Sequence, residues 1–357
     1  MDIEDNADVL RIGQSLELVL KELRKLLLIL ADKVDTWADV PLMGFTHLQP
    51  AEPSTLGYRL AVYAQDLLMD WQAISEVRRQ LRGKGFKGAV GTGAAYAELL
   101  GSENLAAFEQ RLSEKLALPF FLVATQVYTR KQDYQVLSAL AGVGGSLYKF
   151  AFDLRFLQSP PIGEWSEPFG KSQVGSSAMP FKRNPIHAEK IDSLGRALAQ
   201  MPRLAWDNAA HSLLERTLDD SANRRTLLPE SFLIVDELLT TASRLISGLV
   251  IVKAAMQRNL AIYGSFAGLE RVLMALARAG TDRQLMHERL RQHSIAAWEA
   301  LRAGQPNPLV SLLAADPEIT RFLPAAELAT LMDIAHHVGN APARARGMAL
   351  VIRQVVG

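Results

Sequence analysis

Residues 7–31 carry Leu10, Leu16, Val19, Leu20, Leu23, Leu26, Leu27 and Leu30, mostly three or four apart. That spacing puts the apolar groups on one side of a helix and is incompatible with a half-buried strand, whose period is two. Comparable long patterns run from Ser54 and Thr55 to about Leu81, over 129–158, from Pro185 onward, and from Pro229 to about Met256. No convincing alternating strand and no repeat occurs anywhere. The expected fold class is therefore all-α: a bundle of long helices over residues 1–256, followed by shorter helical pieces over 257–357 that form a smaller C-terminal domain. Asp5 and Asn6 are expected to cap the first helix. The stretch 26–30 is apolar nearly all round, which fits a large core or a subunit interface.

Composition removes several function classes. The 357 residues have a net charge of +1, so no basic field invites nucleic acid. Cysteine is absent, which excludes disulfides, thiolate catalysis and thiolate metal sites and makes the cytoplasm the expected compartment. The acidic start, Met1 to Asn6, does not read as a signal peptide, and no apolar run approaches the roughly 20 residues of a membrane span. The histidines at 187, 211, 287, 293, 336 and 337 form no metal-like constellation.

Chemistry concentrates in a few breaks between helices. Residues 175–185 read Gly-Ser-Ser-Ala-Met-Pro-Phe-Lys-Arg-Asn-Pro. Pro180 and Pro185 bar helix until the second has passed, so this is a loop feeding a helix start, where free backbone amides and the Lys182, Arg183 and Asn184 side chains suit a carboxylate or phosphate. Residues 41–53 break the pattern again with Thr46, His47 and Gln49. An isolated histidine is more often a satisfied core group. Here its polar neighbours favour a site that exchanges protons near neutral pH. Arg216, Ser221 and Arg225 read either as a solvated patch or as a bidentate anion clamp. The glycine-rich residues 83–93 lack the Lys-Ser/Thr ending of a phosphate loop and are expected to serve close backbone packing or a substrate-lining turn. Gly142, Gly144 and Gly145, within a helix, point to close helix approach.

These motifs resemble the fumarase/aspartase superfamily. Residues 175–185 are similar to its Gly-Ser-Ser-x-Met-Pro-x-Lys-x-Asn-Pro signature, and Ala178 with Lys182-Arg183 resembles the adenylosuccinate lyase branch. Thr46-His47-x-Gln49-Pro50-Ala51-x-Pro53 resembles the family's second block, and Thr125-Gln126, Arg216 with Ser221 and Arg225, Glu270-Arg271-Val272 and Trp298 fall in the expected order. The resemblance implies an all-α homotetramer with active sites shared between subunits, no cofactor, no metal, and elimination of fumarate from a small succinyl-purine substrate, with neither nucleic acid nor membrane as partner. It implies His47 as general acid and Ser176 as general base, with Ser177 the less favoured candidate. Lys182 and Asn184 would meet the charge that develops on the substrate carboxylate. Arg183, Arg216, Ser221 and Arg225 would hold carboxylate or phosphate groups, and Thr46, Gln49, Gln126 and Met179 would complete the substrate site. Argininosuccinate lyase and carboxymuconate cycloisomerase have related loops, and a non-catalytic helical assembly protein is the reading from a different class. Family chains begin with a small domain ending in Ser-Ser-x-Asp, and residues 2–6 resemble the tail of that motif. The expectation is a chain without that first domain.

Overall fold

The computed structural model describes residues 1–170, 178–335 and 337–357. Helix α1 (Glu4–Thr36) is followed by strands β1 (Pro41–Thr46) and β2 (Gln49–Thr55), helix α2 (Leu56–Gln80), and two short helices α3 (Ala94–Leu100) and α4 (Leu105–Leu116). The long α5 (Lys131–Gln158) leads to a two-residue strand β3 (Trp165–Ser166), then α6 (Ile186–Leu198), α7 (Met201–Ala210) and the long α8 (Ser221–Ser247). Strand β4 (Val250–Ile251) precedes α9 (Lys253–Arg278), α10 (Arg283–Arg302), the short α11 (Leu309–Ala314), α12 (Pro317–Thr320) and α13 (Ala325–Met332), and finally α14 (Ala341–Val356).

The apolar stripes read from the sequence meet in one core. Helix α1 packs on α2, α8 and α14, and α5 packs on α2, α6, α7 and α8. Leu26, Leu27 and Leu30 are fully buried, so the all-round apolar stretch of α1 is covered largely by its own chain. Helix α9 carries Met256 in this core and Val272, Leu273 and Leu276 in a second, smaller one shared with α10 to α13. Helix α14 then returns to the first core through Ala345, Ala349, Ile352 and Val356. The sequence-based division between 256 and 257 falls near the start of α9. Among the described residues α9 alone is long and apolar enough by composition to cross a membrane, with Glu270 and Arg271 inside it and Arg271 donating to the carbonyls of Leu331 and Asp333.

Four local expectations are corrected. Asp5 and Asn6 do not cap α1, which begins at Glu4. Both are buried tie points: Asp5 accepts from the Tyr128 amide at 2.9 Å, and Asn6 exchanges two hydrogen bonds with the backbone of Gly85. Residues 41–55 are a hairpin, with Thr46 opposite Gln49 and both turn residues, His47 (φ 53°) and Leu48 (φ 59°), left-handed. Pro41, Pro50 and Pro53 hide it in the sequence. An isolated two-stranded ribbon consists only of edges, where proline is tolerated. Helix α8 starts at Ser221, with Pro229 inside it, and stops at Gly248, beyond which β4 pairs with β3 before α9 begins.

Other expectations hold. Thr55 caps α2 by accepting from the Tyr58 amide at 3.2 Å. A Cβ at Gly144 would lie 3.0 Å from Leu198 Cδ2, so α5 and α6 cross closely there. A Cβ at Gly91 (φ 84°) would fall 1.8 Å from the Ala124 carbonyl oxygen, a backbone approach open only to glycine.

Candidate active site

The expected site residues lie in three places. The first is the hairpin tip, where Thr46, His47 and Gln49 are exposed. Beneath the hairpin a cavity of about 920 Å³ is walled by Phe45, Phe156 and Phe266, with Thr46, Glu52, Arg59, Lys149, Asp153 and Glu270 as polar lining. Arg59 fixes the hairpin: it donates to the Met43 carbonyl at 2.8 Å and to Glu164 at 2.8 Å. Glu164 is fully buried and also accepts from Asn259 on α9 at 3.0 Å. Within the wall, the Tyr63 hydroxyl donates to Asp153 at 2.7 Å.

The second place is the described part of the signature segment, residues 178–185. Met179, Lys182 and Arg183 are exposed, and the Lys182 amide closes a turn onto the Met179 carbonyl at 3.0 Å. The Arg183 guanidinium lies 5.1 Å from the centre of the Phe169 ring. Asn184 precedes Pro185, the residue from which α6 starts. Ser176 and Ser177, the two candidate bases, lie outside the described residues.

The third is a cavity of about 550 Å³ lined by Arg216, Ser221 and Arg225 together with Asp8, Arg11, Arg130 and Arg224. Its floor is a buried ion network. Arg130 donates to Asp220 at 2.6 Å and to both oxygens of Asp5 at 3.2 Å, while Arg216 donates to the other oxygen of Asp220 at 2.7 Å. Arg224 donates to Asp133 at 2.7 Å and to the Tyr128 hydroxyl at 2.8 Å; that hydroxyl in turn donates to Asp133 at 2.6 Å. Burial pushes the Asp220 carboxyl upward, but hydrogen bonds and charge from Arg216 and Arg130 outweigh it and hold the group below its ordinary value. Burial raises Asp8, half-exposed at the rim, despite the Arg224 charge beside it. Burial also raises the Tyr128 hydroxyl well above the usual phenol value, so it stays protonated and able to donate.

Committed arginines cannot all serve a ligand. Arg130 and Arg224 are occupied by carboxylates, as is Arg216 Nη1 by Asp220; Arg216 Nε is buried with no hydrogen-bond partner among the described residues, and Arg225 is exposed. The exposed Arg11 and Arg225 guanidiniums are therefore the donors the cavity presents to a carboxylate or phosphate, above a floor of paired arginines and carboxylates. Gln126 adjoins it, because its amide donates to the Glu215 carbonyl at 3.1 Å, next to Arg216.

The structure thus brings Arg216, Ser221 and Arg225 into one cavity and sets Gln126 beside it. Thr46 lines the other cavity, with His47 and Gln49 at the turn above. Met179, Lys182, Arg183 and Asn184 line neither cavity. Sequence reasoning missed Arg130, Arg224 and Asp220. Only the Arg216–Asp220 pair, four residues apart, had a local signal; Arg130 and Arg224 find their carboxylates on distant elements.

The fold is a long-helix bundle with an arginine-lined cavity, and Lys182 and Asn184 stand just before the start of α6. Comparison with known proteins bears on it directly. The family model described as "Lyase" matches residues 2–198, and that described as "Adenylosuccinate lyase C-terminus" matches 269–346. Adenylosuccinate lyase of Schistosoma mansoni is 36% identical over 348 residues, covering 95% of this chain and 71% of that protein. Adenylosuccinate lyase of Saccharomyces cerevisiae is 35% identical over 345 residues, covering 95% of this chain and 70% of that protein. The crystal structure of 3-carboxy-cis,cis-muconate lactonizing enzyme from Pseudomonas putida matches with a TM-score of 0.85 at 29% identity, over 99% of this chain and 76% of that one. The chain belongs to the adenylosuccinate lyase family.

Proposed function

We propose that this protein is a carbon–nitrogen lyase that eliminates fumarate from adenylosuccinate, leaving AMP, and from the succinylated aminoimidazole carboxamide ribotide of purine synthesis. The observation that carries the reading is the 36% identity to an adenylosuccinate lyase over 95% of the chain. In the reaction a carbon-bound proton next to a carboxylate is removed, and the charge left behind spreads onto that carboxylate. The carbon–nitrogen bond then breaks with its electron pair going to nitrogen, which takes up a proton. By the family resemblance Ser176 takes the first proton and His47 supplies the second. Lys182 and Asn184 stabilise the spreading charge, and Arg216, Ser221 and Arg225 hold the substrate's phosphate or distal carboxylate.

The three places lie on different elements, and His47, Lys182 and Arg225 are all exposed. We therefore infer that complete sites form between copies in a cytoplasmic homotetramer, each copy contributing a different one of the three. The test is absorbance-monitored cleavage of adenylosuccinate by the purified chain, with argininosuccinate and 3-carboxymuconate as comparison substrates. Turnover of adenylosuccinate alone is expected; preference for either other substrate overturns the assignment.

A further inference from the structure

Helix α6 begins at a residue that cannot cap it. Pro185 stands at the N-cap position with no side-chain hydrogen bond to give, so the first amides of α6 lack partners from their own neighbourhood. They are met from earlier in the chain. The Glu167 carboxylate, 5% exposed, accepts from the His187 amide at 3.2 Å and from the Ala188 amide at 2.6 Å. Gln158, the last residue of α5, bridges the same two limbs: its side-chain oxygen accepts from the Glu167 amide at 2.9 Å and its side-chain nitrogen donates to the Arg183 carbonyl at 3.0 Å. The Arg183 guanidinium over Phe169 adds a third contact between them.

We propose that Gln158 and Glu167 are positioning residues for the elimination: they tie the chain at 167–169 to the stretch from Arg183 to Ala188 and so fix where Lys182 and Asn184 stand. The inference rests on the lyase reading above. Neither side chain needs to touch substrate. Lys182 and Asn184 lie within a few residues of the clamped Arg183 carbonyl and α6 amides, and a displacement there is transmitted to them directly, where geometry governs rate. A carboxylate suits this place because helix-start amides and the helix dipole both favour negative charge.

The experiment compares wild type with Gln158→Ala, Glu167→Gln and Glu167→Ala in kcat, KM, thermal unfolding midpoint, and the rate of tryptic cleavage after Lys182 and Arg183. The expected result for Glu167→Ala is a fall in kcat of about tenfold or more, the kinetic equivalent of one charged hydrogen bond. Cleavage after Lys182 and Arg183 should accelerate at temperatures well below the unfolding midpoint and by more than the lowered midpoint accounts for, with KM moving less than kcat. Glu167→Gln, whose amide oxygen still accepts, should recover part of both, and Gln158→Ala should lose both to a smaller degree. Wild-type kcat and cleavage rate in Gln158→Ala and Glu167→Gln overturn the proposal, as does a loss that merely tracks unfolding. If Glu167→Ala does not fold, those two variants decide. If wild type fails to cleave adenylosuccinate, the lyase reading falls, while the tryptic rates still decide whether the clamp exists.

Discussion

Arg130 donates to Asp220 at 2.6 Å with both side chains almost wholly buried, joining the start of α5 to the start of α8. The same guanidinium reaches Asp5 on α1, so a single residue ties three helices together beneath the arginine cavity. A buried charge left without its partner is far more costly than the pair itself was stabilising. Arg130→Met should therefore lower unfolding free energy by about 3–5 kcal/mol, because Asp5 and Asp220 lose charged donors. Denaturant unfolding monitored by far-ultraviolet circular dichroism would measure it. A loss no larger than that of an exposed surface pair, about 1 kcal/mol or less, would contradict the network's role.

A different carboxylate limits stability at high pH. Asp70 on α2 faces Ser146 and Gly142 of α5; burial pushes its pKa from 3.8 up to about 6, opposed by the Ser146 hydroxyl donating at 2.6 Å and reinforced by the charge of Asp66. Above pH 6 the folded protein carries an ionised, poorly solvated carboxylate. As pH falls, the folded state takes up a proton before the unfolded state does, so stability rises between 6 and 3.8. Asp70→Asn should thus stabilise the protein at pH 8 by about 2–3 kcal/mol, the free-energy equivalent of the shift. That gain should fade toward pH 4. Urea unfolding of both proteins at the two pH values tests it, and an equal difference at both would refute the argument.

How far the sequence reached depends on the kind of signal. The leucines of α1 and the pattern of α5 are periodic, and a period survives whatever packs on it, so the bundle was legible. The hairpin was not, because Pro50 and Pro53 carry no alternation and its turn depends on His47 and Leu48 adopting left-handed backbone, which side-chain type does not announce. Asp5 reads locally as a cap, yet its partners Tyr128 and Arg130 are more than a hundred residues away. Long-range satisfaction of a buried carboxylate has no local signature. The same holds for Glu167, whose amide partners belong to another helix. Motif resemblance named Arg216, Ser221 and Arg225, and the fold gathers them in one cavity. It also named His47 and Lys182, which the fold places on separate elements.

Within the arginine cavity, Arg225 is the residue to alter, since Arg216 also holds Asp220 and its loss would disturb the floor. Arg225 is exposed and carries no structural ion pair among the described contacts. Arg225→Gln keeps the bulk and removes the charge. A lost charged hydrogen bond to a substrate anion should raise KM for adenylosuccinate by about ten- to a hundredfold, with kcat changed by less than about threefold. Inhibition by inorganic phosphate should weaken in parallel. Unchanged KM and phosphate inhibition would remove this cavity from the substrate site.

The separation of His47 from Lys182 makes shared sites directly testable. If a complete site takes the histidine from one copy and the lysine from another, then His47→Ala and Lys182→Met should each abolish turnover alone. Mixing the two after gentle dissociation should regenerate sites that draw His47 from one variant and Lys182 from the other, so activity returns without any covalent change. The recovered kcat/KM per restored site should equal that of wild type, because such a site contains no mutated residue. Light scattering on the same samples fixes the assembly size, and activity should reappear only as mixed assemblies form. If mixing restores nothing while mixed assemblies are present, both residues belong to one subunit's site, and the hairpin tip and the signature segment must meet within a single chain.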